Sequence, residues 1–390
     1  MGFFVPERVT LDVRQFQTGM PGEIVKISDG DHAFVPDPLP PRWEFPVALW
    51  PLLAEAKMQV GILEGLGRNL PNPAILLRPL EDREAITSSR LEGTYVSPRE
   101  LLLFEMRPRG AQSDADPAAD WQEVFNYRRA LYHATQSDLP LSLRLVKELH
   151  SILLSGVRGR ERAPGEFRRV QVAIGVTRRF VPPPPQRLME CLDPLEKYFH
   201  ASRPQYDSLV ESFLTHYQFE AIHPFTDGNG RVGRLLLALM LYRCCGLSKP
   251  WLHLSEYYEK RREEYVQRLF DVSARAAWAE WIEFSLKGVV VQARETIGRC
   301  ERMLRIRETF MKRLGDVGGS IRLNDIVEGV FHSPFVRVAD LARGLHVSYP
   351  TAKADVERLV QAGILEELGN VSPKTFYAPE VYRVAYDELE

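Results

Sequence analysis

The sequence predicts a mainly α-helical protein with one short β-hairpin and a small helix-turn-helix region near the C-terminus. Apolar residues recur at intervals of three and four along most of the chain, as in LLAEAKMQVGILEGL at residues 52–66, which is the spacing of an amphipathic helix. Apolar residues at period two occur at Val170, Val172 and Ile174, which favours a short strand pair there. Residues 335–377 combine two short helical patterns with a glycine-bounded hairpin.

The N-terminal region is expected to begin with an extended arm and to continue as two helices. Residues 1–45 are rich in Pro, Gly and Asp and show little periodicity, and the segment VPDPLPPRW at 35–43 is predicted to be an extended arm. A helix is predicted at 45–67, a Pro-Asn-Pro break at 71–73 and a second helix that reaches Glu92. The second helix should end at Gly93, because glycine readily adopts the left-handed conformation found after helix C-termini.

The middle of the chain is predicted to be helical except for two loops and a flap. A polar loop is expected at 111–119, and a hairpin or flap at 156–185, where the period-two residues run into four consecutive prolines. The glycine-rich segment 223–234 leads into an apolar helix. The predicted helices cover 120–150 with a break at 138–140, 186–201, 206–222, 235–245 and a long segment near 285–314.

Composition and charge exclude several classes of protein. The chain has 50 Lys and Arg against 52 Asp and Glu, a formal net charge of −2, which argues against binding nucleic acid through overall charge. With 45% hydrophobic and 26% charged residues, the chain is composed like a globular protein rather than a disordered one. Its four cysteines are too few and too irregularly spaced for a disulfide scaffold or a CxxC zinc site. Reduced thiols in the cytoplasm are therefore expected.

Neither export nor membrane insertion is expected from the sequence. Residues 1–16 lack an apolar stretch after a basic start, so they do not have the pattern of a signal peptide. The longest apolar run, residues 235–247, is interrupted by Arg243 and is shorter than the roughly 20 residues needed to span a bilayer. We expect a buried core helix in that run, and a cytoplasmic protein without membrane contact.

The segment HPFTDGNGRVGR at residues 223–234 carries the strongest chemical signal. Its Gly-Asn-Gly run, 228–230, favours backbone conformations that turn several N–H groups inward, at the start of a helix whose dipole also favours an anion. These groups predict a phosphate-binding nest. Arg231 and Arg234 lie three residues apart on the first turn of that helix, so they point in neighbouring directions and can hold successive phosphates.

Two further side chains of this segment are candidates for catalysis. Asp227 supplies a hard oxygen ligand beside the nest, suited to Mg²⁺ that bridges phosphates. His223 is a base whose ordinary pKa of about 6.5 suits proton removal near neutral pH. Each feature alone has a plainer explanation: a structural histidine, a simple turn, or two solvated arginines. Their combination in one short segment favours a site for a phosphorylated ligand.

This segment resembles the signature HxFx(D/E)GNGRxxR of Fic-domain proteins. Every fixed position of the signature is matched, by His223, Phe225, Asp227, Gly228, Asn229, Gly230, Arg231 and Arg234. Most enzymes of this family transfer AMP from ATP to a hydroxyl side chain of a target protein. The resemblance therefore implies a Fic (Fido) helical core and an ATP- and Mg²⁺-dependent protein adenylyltransferase that modifies Ser, Thr or Tyr hydroxyls of a target or of itself.

The resemblance also implies a role for each residue of the loop. His223 would deprotonate the target hydroxyl, and Asp227 would hold Mg²⁺. Phosphate binding would fall to Gly228, Asn229 and Gly230 at the α- and β-phosphates and to Arg231 and Arg234 at the β- and γ-phosphates. Phe225 would be a core anchor that holds the loop in place, which is a structural role.

The flap and a pair of tyrosines fit the same resemblance. Residues 164–175, followed by FVPPPP at 180–185, resemble the hairpin on which Fic proteins dock their targets, since an exposed strand edge can pair with an extended segment. An ordinary hairpin is the alternative. Tyr258 and Tyr265 are candidates to stack on adenine, with Tyr265 favoured. Aromatic core residues on a helix give the same pattern.

Residues 88–93 resemble the inhibitory pattern (S/T)xxxE(G/N) of the family. Ser88 and Glu92 are four residues apart, so they share one face of the predicted helix. By this resemblance, Glu92 would pair with Arg234, keep the γ-phosphate from its productive position and repel the triphosphate. The position of the pattern, N-terminal to the Fic core, is that of class II. The alternative is an ordinary helix-terminal glutamate before a glycine.

Residues 315–390 are predicted to form a separate winged helix-turn-helix domain, which Fic proteins of this layout often carry. Helices at 338–344 and 350–362 flank a turn, and a hairpin wing follows. Between residues 325 and 377 there are five basic and seven acidic residues, whereas DNA binding depends on cationic contacts to phosphate. We therefore favour a protein-interaction or dimerisation role over DNA binding.

The predicted organisation has three parts. These are an N-terminal arm and helical region with the inhibitory motif at 1–110, the Fic core with its following helices at 111–314, and the winged helix at 315–390. The predicted partners are ATP, Mg²⁺, a target protein that the sequence does not identify, and a second copy of the chain. Two alternatives stay open: the same loop removes AMP, with Glu92 positioning a water, or transfers another nucleotide; or the protein is a DNA-binding regulator that senses nucleotide.

Overall fold

The computed structural model describes residues 11–27, 31–70, 72–113, 115–156, 163–175, 180–200, 204–316, 318 and 320–389. These residues are mainly helical, which confirms the predicted fold class. The helices are α1 Trp50–Arg68, α2 Ala74–Leu91, α3 Pro98–Met106, α4 Pro117–Gln136, α5 Leu143–Leu153, α6 Leu188–Phe199, α7 Ser208–Ile222, α8 Asn229–Cys244, α9 Ser255–Glu259, α10 Arg262–Arg275, α11 Trp278–Asp316, α12 Ile321–His332, α13 Val338–Gly344, α14 Tyr349–Gln361 and α15 Pro379–Tyr386. The strands are β1 Gly22–Lys26, β2 His32–Pro36, β3 Phe335–Val336, β4 Glu366–Glu367 and β5 Phe376–Tyr377.

Most of the helices lie close to where the periodicity predicts them, but α4 and α11 differ in extent, and α3, α12 and α15 have no predicted counterpart. Helix α4 begins at Pro117, inside the predicted polar loop, because Asp116 caps its N-terminus. Helix α11 continues to Asp316, into the predicted linker. Helix α3 has no counterpart in the prediction, although Ser97 and Glu100 form a capping box at its N-terminus, which is a signal that the sequence carries.

The N-terminal segment forms a strand pair that the sequence analysis does not predict, whereas residues 37–43 of the predicted arm belong to no helix or strand. Strands β1 and β2 pair antiparallel and lie against the helices. Phe34 of β2 is fully buried, with ring centroids 5.6 Å from Phe16 and 5.7 Å from Phe180, and its N–H donates to the Val181 carbonyl at 2.9 Å. Burial on both faces removes the polar–apolar alternation by which a strand is predicted. Residues 1–10 lie outside the described residues.

The predicted flap is described in part, since residues 157–162 and 176–179 lie outside the described residues. Its described part holds one isolated bridge, in which the Ile174 N–H donates to the Phe180 carbonyl at 2.8 Å. No longer strand is formed by the flap residues that the structure describes. The conformation of the flap therefore depends on contacts to the rest of the protein rather than on its own backbone pairing.

Helices α7 and α8 form the centre of the core. Most side chains of both helices are buried, because α7 packs against α10 and α11 whereas α8 packs against α4 and α5. The apolar run at 235–247 belongs largely to α8 and is a core helix, as predicted. Of the helices that the structure describes, none is long and apolar enough to cross a bilayer. The turn between α7 and α8 is thus supported by packed helices on both sides.

The C-terminal region packs on the helices that precede it. Its helices α12, α13 and α14 and its strands follow the order helix, strand, helix, helix, strand, strand, with β5 between β3 and β4. Its apolar core also includes Ile75 of α2, Leu102 of α3 and Phe310 of α11. The region after residue 315 therefore shares a core with earlier helices, and its status as a domain of its own stays a prediction.

The surface of the C-terminal region carries paired charges. Lys353 and Glu357, both on α14, lie 3.7 Å apart. Lys374 lies 2.6 Å from Glu367 of β4. Both residues of β4, Glu366 and Glu367, are exposed. In these two pairs the lysine charges are balanced by glutamates, so they add no surplus of positive charge for contacts to phosphate.

Candidate active site

The turn between α7 and α8 has two residues in the left-handed region. Helix α7 ends at Ile222, and His223 follows with φ 51° and ψ 62°. Gly228, directly before α8, has φ 75°. The left-handed conformation costs energy for a residue with a Cβ, so contacts around His223 must hold it there. The turn places His223 and Gly230, on the first turn of α8, at the same cavity.

Asn229 closes this turn with its side chain. Its Oδ1 accepts from the Phe225 N–H at 2.7 Å, and its Nδ2 donates to the Phe225 carbonyl at 2.8 Å. Asn229 is only 2% exposed. Its amide is thus engaged in shaping the loop, so the predicted contribution of Asn229 to phosphate binding rests on its backbone N–H at the start of α8.

Phe225 anchors the loop through a histidine that the sequence analysis does not single out. The Phe225 ring is fully buried and stacks on His150 of α5, with ring centroids 3.7 Å apart and planes 8° apart. His150 Nδ1 accepts from the Gly165 N–H at 2.8 Å, so its Nε2 carries the proton and donates to the Asp227 carbonyl at 3.0 Å. His150 therefore joins the flap to the loop.

His223 lies in surroundings that favour its neutral form. Burial lowers the pKa of His223 to about 4, and the cation of Arg168 acts in the same direction. The imidazole is therefore neutral at pH 7, the state that a general base requires. Its Nδ1 forms no hydrogen bond with the part of the chain that the structure describes.

Arg234 is bound by the segment that resembles the inhibitory pattern. Its Nη2 donates to Glu92 Oε1 at 2.7 Å and to the Ser88 carbonyl at 2.9 Å, while its Nε donates to Ser88 Oγ at 2.8 Å. A Cβ at Gly230 would lie 2.3 Å from Glu92 Oε1, so the glycine leaves the space that the carboxylate occupies. The structure thus brings Ser88, Glu92 and Arg234 together as the sequence predicts.

Arg231 has a carboxylate partner that the motif does not include. Its Nη1 donates to Glu123 Oε2 of α4 at 3.2 Å, and the same oxygen accepts from Thr94 Oγ1 at 3.0 Å. Thr94 lies two residues beyond Glu92. Both arginines of the loop therefore pair with carboxylates. Arg234 pairs with Glu92 itself. Arg231 pairs with Glu123, whose carboxylate also accepts from Thr94, close to Glu92 in sequence.

Asp227 lies at the mouth of the nest. Its Oδ1 accepts from the Gly228 N–H at 2.7 Å, and its carbonyl is held by His150 as described above. The residue is partly exposed, so its carboxylate is accessible to a bound ion. Within the described ranges, no group of three His, Cys, Asp or Glu side chains is close enough to hold a metal by itself.

A cavity of about 510 Å³ adjoins these groups. Its polar end includes Glu92, His223, Gly230 and Arg234, and apolar side chains form much of the remaining wall. Its size suits a nucleotide-sized ligand. The lining residues that contribute apolar surface include Leu91, Ile174, Phe180, Val266, Leu269 and Phe270.

Glu220 of α7 also lines this cavity and is absent from the predicted site. Burial raises the pKa of its carboxyl to about 7, and its Oε1 has no hydrogen-bond partner in the described residues. A Cβ at Gly233 would lie 2.2 Å from that oxygen. The sequence carried one indication for Glu220, Glu123 and His150. Each is a polar side chain on the buried face of a helix, where an uncompensated polar group is costly.

Tyr265 packs among aromatic side chains at the edge of the cavity. Its ring is 4% exposed and stacks on Tyr258 with centroids 4.4 Å apart, and its hydroxyl lies 2.8 Å from His216 Nε2. Tyr265 borders the cavity, but Tyr258 covers one face of its ring and is itself fully buried. These contacts match the alternative of aromatic core residues, and adenine stacking by Tyr265 stays a prediction.

Two parts of the chain match family models. Residues 140–241 match the model described as Fic/DOC family, and residues 50–136 match the model described as Fic/DOC family N-terminal. The chain carries a Fic domain. The matched segments extend from α1 into α8 and thus hold both the loop at 223–234 and the segment at 88–93.

The curated relatives of this Fic domain are named protein adenylyltransferases. A Drosophila grimshawi protein adenylyltransferase Fic is 38% identical over 154 residues, which are 38% of this chain and 30% of the relative. A Caenorhabditis elegans protein adenylyltransferase is 35% identical over 104 residues, 26% of this chain and 20% of the relative. A probable protein adenylyltransferase of Aquifex aeolicus is 28% identical over 184 residues, which are 47% of this chain and 55% of the relative. The chain thus spans less than two thirds of each of these relatives.

Solved structures share the fold. A Fic family protein from Desulfovibrio desulfuricans superposes with a TM-score of 0.57 at 20% identity and covers 87% of this chain and 98% of its own. A fragment of Fic-1 from C. elegans superposes with a TM-score of 0.52 at 20% identity, covering 64% of this chain and 74% of its own. These similarities support the Fic fold of the helical core.

Proposed function

We propose that this protein is an ATP-dependent protein adenylyltransferase, which transfers AMP to a hydroxyl of a target protein. The observation that carries the proposal is the convergence of a neutral histidine, a buried arginine and the N-terminus of α8 at one end of one cavity. The loop that supplies these groups, residues 223–234, lies within the matched Fic segment. The names of the relatives support the same reaction.

The nucleotide is proposed to lie in the cavity with its phosphates at the start of α8. The first N–H groups of a helix have no partner within the helix, and the helix dipole favours an anion. Gly230 lines the cavity at this position without a side chain. The apolar wall formed in part by Phe180 and Phe270 suits the nucleoside.

His223 acts as the general base in this proposal. Its neutral imidazole takes the proton of the target hydroxyl while the hydroxyl oxygen attacks the α-phosphorus. An oxygen–phosphorus bond forms, and the bond from the α-phosphorus to the bridging oxygen of pyrophosphate breaks. The electron pair of the broken bond stays with the pyrophosphate, whose growing charge Arg231 and Arg234 stabilise.

Asp227 fits a role as a magnesium ligand. Its partly exposed carboxylate lies beside the proposed phosphate site, and Mg²⁺ commonly binds proteins through one or two carboxylates, with water and substrate phosphates as its other ligands. A single protein carboxylate is therefore sufficient when a nucleotide is present. When bound, the ion would neutralise charge on the phosphates.

Glu92 is proposed to hold the enzyme in an inhibited state. The phosphates and Glu92 compete for the same guanidinium, that of Arg234. Arg234 is 3% exposed at its side chain, so a charge that it binds is poorly screened by water. A carboxylate left beside the triphosphate would also repel it. AMP transfer then requires Glu92 to move away from Arg234.

The protein substrate is proposed to bind along the flap. The described flap has one backbone bridge of its own, so part of its backbone can pair with an extended segment, although several of its carbonyls already accept from the side chains of Arg168 and Gln171. Val170 is 56% exposed, and Ile174 lines the cavity. A segment paired with this part of the flap lies near His223.

The test is incubation of the protein with cell lysate and ATP labelled at either the α- or the γ-phosphorus. AMP transfer predicts protein-bound label from the α-labelled nucleotide and none from the γ-labelled one. Glu92→Gly should label targets more strongly than the wild type, and Glu92→Gly combined with His223→Ala should not label them. Label from γ-labelled ATP alone would indicate a kinase, and no label with any variant would contradict the proposal.

A further inference from the structure

Arg168 of the flap is a buried cation that has no carboxylate partner in the part of the chain that the structure describes. Arg168 is only 4% exposed, and within the described residues its guanidinium donates to backbone carbonyls rather than to carboxylates. Burial lowers the pKa of its guanidinium to about 10, which leaves it protonated at neutral pH. A buried charge is costly unless hydrogen bonds compensate it, so the acceptors that Arg168 binds indicate what it does.

Three consecutive carbonyls at the end of α7 accept hydrogen bonds from Arg168. Its Nη2 donates to Ile222 at 3.4 Å, its Nε donates to His223 at 2.8 Å, and its backbone N–H donates to Pro224 at 2.9 Å. Carbonyls at a helix C-terminus have no partner within the helix, and the negative end of the dipole favours a cation. Arg168 thus binds the backbone on both sides of the left-handed His223.

The same guanidinium binds both described halves of the flap. Its Nη2 donates to the Pro183 carbonyl at 2.5 Å, and its Nη1 donates to the Val170 carbonyl at 3.2 Å. Since the described flap has one backbone bridge of its own, Arg168 supplies a large part of what holds its two halves together. The flap and the His223 backbone are therefore parts of one hydrogen-bonded unit centred on Arg168.

The charge of Arg168 also acts on the His223 ring. Burial lowers the pKa of His223, Arg168 lowers it further, and Glu92 and Asp227 raise it. Arg168 belongs to the flap, Glu92 caps the C-terminus of α2, and Asp227 belongs to the loop at 223–234. The Glu220 carbonyl of α7 acts as an acceptor near the ring and also raises the pKa.

We propose that Arg168 is a positioning residue, which holds the flap in register with His223 and keeps the His223 backbone in its left-handed conformation. The inference rests on the proposed function in one respect, namely that His223 is the base for a hydroxyl delivered along the flap. Arg168 then sets the position of the base and also the position of a target that pairs with the flap. Such placement contributes to rate because small displacements of reacting groups slow transfer strongly.

Two substitutions separate the geometry of Arg168 from its charge. Arg168→Lys keeps a cation but lacks the planar set of donors that serves several carbonyls at once, whereas Arg168→Gln also removes the charge. In the Glu92→Gly background, we expect both to lower kcat by about tenfold or more and to change the KM for ATP by less than about threefold. The acid limb of the pH–rate profile should move upward only in Arg168→Gln.

A readout besides activity is the NMR titration of the His223 imidazole in the full chain without nucleotide or metal. Arg168→Gln should raise the pKa of His223 by about one unit, since it removes a nearby positive charge. Arg168→Lys should leave that pKa unchanged. The matched control is Arg169→Gln, which removes the same charge from the exposed neighbouring residue and should not move it.

Wild-type kcat in Arg168→Lys, or an unmoved His223 pKa in Arg168→Gln, would overturn the proposal. Amide NMR spectra establish that each variant is folded; if Arg168→Gln is not, Arg168→Lys decides through kcat and KM. If Glu92→Gly itself transfers no AMP, the proposed function fails. The titration of His223 in the Arg168 variants still decides whether Arg168 acts on this histidine.

Discussion

Glu92 Oε1 accepts a hydrogen bond of 2.7 Å from Arg234 Nη2, across 142 positions of the chain. The side chain of Arg234 is 3% exposed and that of Glu92 is 38% exposed, so the pair lies at the boundary between the core and the cavity. Burial opposes ionisation of Glu92, but the cation of Arg234 outweighs it and lowers the pKa of the carboxyl. The pair is therefore ionised at neutral pH and occupies the guanidinium that the proposed mechanism assigns to phosphate.

Glu92→Gly should raise AMP transfer by at least about tenfold, because a hydrogen bond between charged groups contributes about 1.5–3 kcal/mol and its loss frees Arg234 for phosphate. The substitution falls at the C-terminal cap of α2, where glycine is tolerated. The rate is measured with labelled ATP and protein substrate from lysate. An unchanged rate would remove the inhibitory role of Glu92.

Ser88→Ala should raise AMP transfer by a smaller factor, of about threefold, since it removes one hydrogen bond from the Arg234 guanidinium to an uncharged hydroxyl and leaves the bond to Glu92 in place. Ser88 Oγ accepts from Arg234 Nε at 2.8 Å, so its loss loosens Arg234 while Glu92 stays in place. Ser89→Ala is the matched control, because the Ser89 hydroxyl is buried and has no hydrogen-bond partner in the described residues. Equal effects of the two substitutions would show that Ser88 does not act through Arg234.

His223→Ala in the Glu92→Gly background should abolish AMP transfer and leave ATP binding largely intact, since removal of a general base costs about a hundredfold or more. His200→Ala is the control, because His200 is exposed and lies at the end of α6. Transfer is followed with α-labelled ATP and binding by calorimetry. Full activity of His223→Ala would contradict its assignment as the base.

The pH dependence of transfer should reflect the lowered pKa of His223, which is about 4. The neutral base is present above this pKa, so kcat/KM should be flat from about pH 6 upward and fall as the pH is lowered toward the pKa. The profile is measured with Glu92→Gly, in which one group that raises the pKa of His223 is absent. An acid limb centred near 6.5, the ordinary value for histidine, would contradict the buried, cation-facing environment.

His150 should make the fold sensitive to acid. Burial lowers the pKa of His150 to about 4, below its ordinary value of about 6.5, so the unfolded chain binds more protons between these values. Its contribution to stability is fully present above about pH 6.5 and is lost as the pH falls toward 4. Between pH 7 and pH 5, urea unfolding should show a loss of about 2 kcal/mol from this group.

His150→Gln should remove that component of the acid sensitivity, since glutamine does not titrate. Exposed His200 is again the control: His200→Gln should keep the wild-type difference between the two pH values. An identical loss of stability in wild type and His150→Gln would show that His150 is not held neutral by its contacts to Phe225, Gly165 and Asp227.

DNA should not bind to the C-terminal region at physiological salt. The exposed Glu366 and Glu367 form β4, and Lys353 and Lys374 are paired with glutamates, whereas DNA affinity comes mainly from cations that contact phosphate. The measurement is a mobility shift with duplex DNA over a series of salt concentrations. A complex that persists at about 150 mM salt would restore the DNA-binding alternative.

The helices were largely predictable because their signals are local. Periodicity over ten or more residues identifies an amphipathic helix wherever it packs, and α1, α2, α7 and α8 lie close to the predicted positions. Strand β2 was missed because Phe34 and its neighbours are buried on both faces, which leaves no alternation, and β1, GEIVK, has no regular alternation of polar and apolar residues either. The edge and extent of such segments depend on what packs on them.

The sequence by itself determined the loop between α7 and α8. The groups proposed to bind phosphate and to act as base lie within residues 223–234, so their order along the chain already places them near one another. The pairing of Glu92 with Arg234 was also predictable, but only through the resemblance of residues 88–93 to an inhibitory pattern.

Only the tertiary structure decided which remote side chains complete the site. Glu123, His150 and Arg168 reach Arg231, Asp227 and His223 across separations of 108, 77 and 55 residues, and no local pattern links such positions. It also showed that the Asn229 side chain closes the loop on Phe225 and that Tyr265 packs on Tyr258. Local sequence sets backbone conformation and helix faces, whereas the partners of a buried charge are set by whichever segments the packing brings within hydrogen-bond distance.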